Sequence, residues 1–193
     1  MMNEAFIIPK WPVPENIRAI QTTRNVAISL EKYSSLNLNN NAGETKEHGE
    51  VNYNNLLNIL PSDPIWLNQI HSDKSEELPS KKILNCDASY TYHKKIVCAV
   101  KTADCLPIFV TNFDGSFVAL IHAGWKGMLN GVIEKTLDKI RSPSEIIIWL
   151  GPCIGQESFE VGNDIYDLFL QKDIDTKKAF KFLNNRYYLD LAN

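Results

Sequence analysis

The apolar run Phe117-Val118-Ala119-Leu120-Ile121 passes into His122-Ala123-Gly124-Trp125-Lys126-Gly127, and then into apolar residues at helical spacing: Leu129, Val132, Ile133, Leu137 and Ile140. A buried strand feeding a helix is the building unit of α/β folds. The histidine at this junction stands at a strand end, where such folds place their chemistry. The turn residues Asn112-Phe113-Asp114-Gly115 separate this run from the β-formers Pro107 to Thr111. The two runs therefore read as a hairpin. At its mouth lies Thr102-Ala103-Asp104-Cys105-Leu106-Pro107, with a cysteine beside an aspartate.

The other segments fill in a mixed α/β pattern. Residues 17–30 read as a β-rich opening, and the polar stretch from Asn37 to Gly49 as a loop. Tyr53, Leu56, Leu57 and Leu60 predict a helix stopped by Pro61. Ile65 to His71 is extended and ends in Asn68-Gln69-Ile70-His71, whereas the Lys/Glu-rich residues 72–86 read as a solvated loop. Ile96 to Lys101 predicts a strand. The near-continuous apolar segment Glu145 to Leu150 predicts one buried on both faces. Val161, Ile165, Leu168 and Phe169 mark a further helix, and Phe180 to Leu191 a terminal hairpin turning at Asn184-Asn185. With 193 residues and no internal repeat or linker, residues 1–193 are expected to form a single domain.

A formal net charge of −3 gives no electrostatic footprint for nucleic acid. No segment has the length and apolarity of a membrane span, and the first residues lack the pattern of a signal peptide. Cys86, Cys98, Cys105 and Cys153 show no C-x-x-C spacing, so reduced thiols and a cytoplasmic location are expected.

Four histidines are present: His48, His71, His93 and His122. His48 and His93 lie in polar surroundings that suit surface residues. His71 and His122 each follow an extended run. Cys98, inside Ile96-Val97-Cys98-Ala99-Val100, reads as a structural thiol, the common fate of a free cysteine. Cys105 has a carboxylate neighbour and an exposed strand end, which suit a metal ligand or a nucleophile. Two imidazoles and one thiolate are a competent donor set for zinc, with a fourth position left to water. Their spacing is unlike that of a zinc finger and does not itself bring the three together.

Five motifs occur in an order that resembles the YfiH family, long labelled polyphenol oxidase or multicopper laccase-domain proteins. They are Gln69-Ile70-His71, Asp87-Ala88-Ser89-Tyr90-Thr91, Ala103-Asp104-Cys105-Leu106-Pro107-Ile108, His122 to Gly127, and Gly151-Pro152-Cys153-Ile154-Gly155 followed by Phe159-Glu160-Val161-Gly162. The likeness runs from about Thr22 to Leu191. It implies a layered α-β-β-α sandwich with mixed sheets, and zinc held by His71, Cys105 and His122; by affinity order copper suits the same three donors. It also implies phosphorolysis of adenosine, inosine, guanosine and methylthioadenosine, deamination of adenosine, and in some members quality control of peptidoglycan precursors.

Within that resemblance, Asp104, Cys105 and His122 are the catalytic candidates. Arg24, Asn37, Gln69 and Lys126 are the candidates for contacting nucleoside and phosphate. Lys126 stands where relatives often carry arginine, so it offers a point charge in place of a fork. Arg24 and Lys126 also fit the ordinary role of solvated surface charges. The sequence departs from the family at Asn25-Val26 and at Asn54-Asn55, and stops at Asn193, C-terminally short of the family pattern. The motifs of other zinc deaminases are missing, because His71-Ser72-Asp73 is not H-x-E and Pro152-Cys153 lacks a second cysteine. Four histidines without an H-x-H pair are too few for a blue-copper site plus a trinuclear cluster. Two other readings stay open: a metal-free cysteine hydrolase or deamidase using Cys105 with His122 or His71, and a binding protein without turnover.

Overall fold

A computed structural model describes residues 6–23, 46–142 and 144–193, with the side chains of 46–49 and 52 left aside. The early residues Arg24 and Asn37, and the second half of the β-rich opening, lie outside the described residues. No helix among the described residues is long and apolar enough to cross a membrane.

The hairpin builds the centre of the molecule. Strand β7 (Leu106–Asn112), buried at all seven positions, pairs antiparallel with β8 (Val118–Ala123). Asn112 closes the turn: its side chain accepts from Ser116 N and donates to Ser116 Oγ, while Gly115 takes φ 59°. Around this pair forms a five-stranded sheet in the order β4-β5-β8-β7-β9, where β4 is Ser75–Glu77, β5 is Ala88–Thr91 and β9 is Ile146–Leu150. Only the β4–β5 pair is parallel among these. One face carries the core residues Ala88, Tyr90, Ile108, Val110, Ala119 and Ile121, packed against Met128, Leu129 and Ile133.

Those three belong to or adjoin two short helices, α2 (Trp125–Asn130) and α3 (Val132–Leu137), and not one continuous helix. Gly131 at φ 87° separates them, a left-handed position where glycine pays no steric cost. A three-stranded sheet of β10 (Glu160–Val161), β12 (Arg186–Leu189) and β11 (Phe180–Leu183) joins the same core with helix α4 (Asn163–Lys172). Its β11–β12 hairpin turns at Asn184 and Asn185, both at positive φ, as the sequence predicts. Val161 lies in β10, two residues ahead of the helix in which its spacing places it. Two smaller pairs complete the set: parallel β3 (Pro64–Trp66) with β6 (Val97–Ala99), and antiparallel β1 (Phe6–Ile7) with β2 (Gln21–Thr22). The mixed α/β class with several sheets is the one expected.

Three readings need correction. Helix α1 spans Lys46–Leu57, so it begins inside the stretch read as a loop and ends before Leu60. The solvated loop of 72–86 contains β4 and two fully buried residues, Leu78 and Cys86. Charge hides the strand because half-buried Glu76 and exposed Glu77 follow the buried Ser75 on a sheet edge. Strand β9 is also an edge, pairing only with β7 among the described strands, and Ile146, Ile148 and Leu150 are exposed where burial on both faces is expected.

Candidate metal centre

Strand register carries Cys105 to His122. In the β7–β8 ladder Leu106 faces Ala123 and Pro107 faces His122, so Cys105, one residue before β7, comes opposite Gly124. A Cβ at Gly124 would stand 2.8 Å from Cys105 Sγ and 2.9 Å from His71 Cδ2. Glycine is the residue that lets the three segments meet. Gly124→Ala is therefore expected to cost about 1–3 kcal/mol of overpacking, and competition with a chromophoric chelator should show weaker zinc binding.

The same logic places Asp87 beside His122. Ala88 faces Ile121 in the β5–β8 ladder, and His122 N donates to Asp87 O at 2.7 Å. The Asp87 carboxylate is fully buried and bonds His122 Nδ1 at 2.8 Å. It also accepts from His71 N at 2.9 Å, Ser72 N at 2.6 Å, Ser72 Oγ at 2.7 Å and Ile70 N at 3.3 Å. This clamp fixes the loop that presents His71, whose φ of 56° is a left-handed conformation uncommon outside glycine. His71 therefore sits in a clamped turn five residues beyond β3, and not at the end of a strand.

His71, Cys105 and His122 offer donor atoms that all lie within 4.8 Å of one another. Cys105 Sγ is 3.8 Å from His71 Nε2, and the two imidazoles meet edge to face with centroids 4.8 Å apart. Burial is graded across the set: His122 is buried, Cys105 half-buried and His71 exposed. One side of the centre thus opens to solvent, as a catalytic zinc position requires. Asp87 holding Nδ1 of His122 leaves Nε2 to face the other two donors, the carboxylate–histidine arrangement common behind metal ligands. The donor set and its second layer fit zinc.

The charges of this pair are strongly coupled. Burial pushes the Asp87 carboxyl upward, but hydrogen bonds from His122, Ser72 and His71 outweigh it and hold it down at about 2. Burial pulls His122 down, yet Asp87 and then Cys105 raise it to about 9. Away from the centre, burial pushes the Cys86 and Cys98 thiols up to about 11, which makes both poor nucleophiles. Burial likewise raises Cys153.

The remaining expected site residues are placed differently. Asp104 is exposed, and its carboxylate has no hydrogen-bond partner among the described residues, while its carbonyl accepts from Ile154 N at 2.9 Å. Lys126 is exposed on α2, two residues past Gly124, with Nζ 5.4 Å from the Trp125 ring centre. Gln69 directs its amide at the Lys101 backbone, donating to the carbonyl at 2.8 Å and accepting from N–H at 2.7 Å. That double bond to β6's exit makes it a brace for the His71 loop. Asp87 was not among the site residues read from the sequence. Its signal was an aspartate directly preceding the strand Ala88–Thr91, a position buried by the sheet that only a function or a dense set of hydrogen bonds can sustain.

The sequence pattern of the family described as multi-copper polyphenol oxidoreductase laccase matches residues 18–193. The chain belongs to this family. Among its relatives, purine nucleoside phosphorylase YfiH of Escherichia coli (strain K12) is 39% identical over 191 residues, covering 96% of this chain and 79% of that protein. Purine nucleoside phosphorylase of Haemophilus influenzae is 41% identical over 195 residues, covering 95% and 80%. The crystal structure of Neisseria meningitidis protein NMB0706 superposes with a TM-score of 0.89 at 34% identity, over 97% of this chain and 79% of that one. Proteins similar to this chain thus carry phosphorylase names.

Proposed function

We propose that this chain is a zinc-dependent purine nucleoside phosphorylase whose metal is held by His71, Cys105 and His122. The observation that carries the reading is the convergence of these three side chains, with Asp87 behind them, in a chain about two-fifths identical to proteins named purine nucleoside phosphorylase. Purine nucleosides and phosphate are its partners in this reading, and the cytoplasm its setting. Copper would find the same three donors, but four histidines in the whole chain do not supply a multicopper oxidase.

In phosphorolysis a phosphate oxygen bonds to the ribose anomeric carbon as the bond to the purine nitrogen breaks, and the departing base takes up a proton. Zinc, when bound, would supply Lewis-acid stabilisation at its open side. The chain's own groups do the rest. Lys126 offers an exposed ammonium for phosphate, and Asp104, beside Cys105, a carboxylate free to handle a proton. Arg24 and Asn37 are assigned to phosphate and nucleoside on the strength of the family resemblance. Deamination of adenosine is assigned to the same centre.

Purified protein incubated with inosine is expected to release hypoxanthine and ribose 1-phosphate only when phosphate is present. With adenosine it is expected to release ammonia as well. Hypoxanthine release that ignores phosphate would overturn the phosphorylase reading, as would no release from protein that contains zinc.

One observation favours a second reading. Cys105, His122 and Asp87 stand in the order nucleophile, base and orienting acid that activates a thiol without metal. A metal-free preparation that hydrolyses an ester or amide, and is blocked by alkylation of Cys105, would establish it.

A further inference from the structure

Strand register sets a second cysteine opposite Cys105. The β7–β9 ladder pairs Asn112 with Ile146 at one end and Ile108 with Leu150 at the other. Two backbone bonds carry the same register past that last pair: Gly151 N donates to Pro107 O at 2.8 Å, and Ile154 N to Asp104 O at 2.9 Å. Between these bonds Cys105 lies opposite Cys153, the cysteine of the segment Gly151-Pro152-Cys153-Ile154-Gly155, which the proposed chemistry leaves unused. Opposed residues of an antiparallel pair stand about 4.5–5.5 Å apart at Cα, inside the span that a disulfide bridges. Both cysteines are free and half-buried.

Cys105 thus has a neighbour on each side. On the β8 side stands Gly124, where a Cβ would be 2.8 Å from Cys105 Sγ, so the thiol leans toward the histidines. On the β9 side stands Cys153, whose thiol is pushed upward by burial, then by the Asp190 carboxylate and the Cys105 sulfur. Rotation about the Cα–Cβ bond of Cys105 carries its sulfur from one neighbour to the other. The remaining two cysteines have no such counterpart. Cys98 faces Ile65 in the β3–β6 pair, and Cys86 is fully buried.

From this placement we propose that Cys105 and Cys153 are a redox modification site, closing a reversible disulfide that withdraws Cys105 from the metal centre. The withdrawal rests on the reading of Cys105 as a zinc ligand, whereas the disulfide rests on register alone. Hydrogen peroxide is the oxidant. The Cys105 sulfur, on the open side of the centre, attacks one peroxide oxygen; the O–O bond breaks, and the thiol proton leaves with the other oxygen as water. The Cys153 sulfur then attacks the sulfenic sulfur of Cys105, and its proton departs with the hydroxyl as a second water. Two thiols have lost two electrons, and one peroxide has become two waters. A sulfur held in a disulfide is no longer the thiolate that a metal takes, so metal binding and the disulfide exclude each other.

Metal-free full chain is treated with a slight excess of hydrogen peroxide, its remaining thiols are alkylated without reduction, and the digest is read by mass spectrometry. A linked pair of peptides holding Cys105 and Cys153 is expected, with the titratable thiols of the denatured protein falling from four to two and returning on reduction with dithiothreitol. Against a chromophoric chelator the oxidised protein should bind zinc more than about a hundredfold more weakly than the reduced protein, exceeding the loss caused by removing a group behind a ligand. Cys153→Ser should bind zinc as wild type does while reduced, and under peroxide should carry oxygen on Cys105 with no link. Peroxide-treated wild type with Cys105 as a sulfenic or sulfinic acid and Cys153 still free would overturn the disulfide. A linked protein that binds zinc as tightly as the reduced one would instead overturn the ligand role of Cys105, and with it the withdrawal.

Discussion

Cys105→Ala is expected to abolish phosphorolysis while leaving the fold intact. Its thiol is half-buried at the sheet's end, 3.8 Å from His71 Nε2 and grouped with His122 on the open side of the centre, so the truncation removes a donor without opening a core cavity. The expected loss in kcat is on the order of a thousandfold or more, the scale seen when a group central to stabilising a transition state is removed. The melting temperature measured without added metal should shift by no more than a few degrees, since surface and half-buried truncations typically cost about 1 kcal/mol. A variant that keeps a tenth of wild-type turnover would remove Cys105 from the machinery. Thiol titration supplies an independent check: Cys105 should react with a disulfide reagent in metal-free protein and be protected by zinc, while Cys86 and Cys98, with thiols pushed up to about 11, react slowly in either state.

Asp87→Asn is expected to do the opposite, destabilising the whole molecule. The carboxylate is fully buried and its two oxygens accept from three backbone N–H groups, a hydroxyl and an imidazole. An asparagine replaces one acceptor with a donor facing donors, and leaves His122 without its countercharge. Breaking a buried pair of this kind costs about 3–5 kcal/mol, which in a chain of this size is on the order of 10 °C in melting temperature. Zinc affinity should fall by about 10- to 100-fold as well, because the group that orients a ligand histidine has been lost. The pH dependence has a definite sign. A carboxyl held at about 2 when folded contributes stability above its unfolded pKa of about 4, and loses it as pH falls from there toward about 2. Urea titrations should show that acid limb in wild-type protein and a flatter one in Asp87→Asn.

Half of this centre follows from the sequence by counting. The turn at Asn112 to Gly115 fixes the register of the central hairpin, and that register alone brings Cys105 opposite Gly124 and next to His122. His71 and Asp87 are not legible in that way. His71 is delivered by a left-handed turn with no period, held by the carboxylate of a residue sixteen positions later. The parallel pair β4–β5 that steadies this region is masked by the charge of Glu76 and Glu77. In β9 the periodicity argument fails for a different reason. Five apolar residues in succession look the same whether both faces are covered by this chain or one is left for something else, and only the sheet order separates the two.

The most direct measurement compares phosphorolysis of inosine by metal-free protein with that by the same protein reloaded with zinc, alongside the zinc-to-protein ratio by inductively coupled plasma mass spectrometry. The account predicts one zinc per wild-type chain, activity that returns with that zinc, and neither in the His71→Ala, Cys105→Ala or His122→Ala variants. Full activity in protein stripped of metal, or a zinc ratio that the three substitutions leave unchanged, would contradict it.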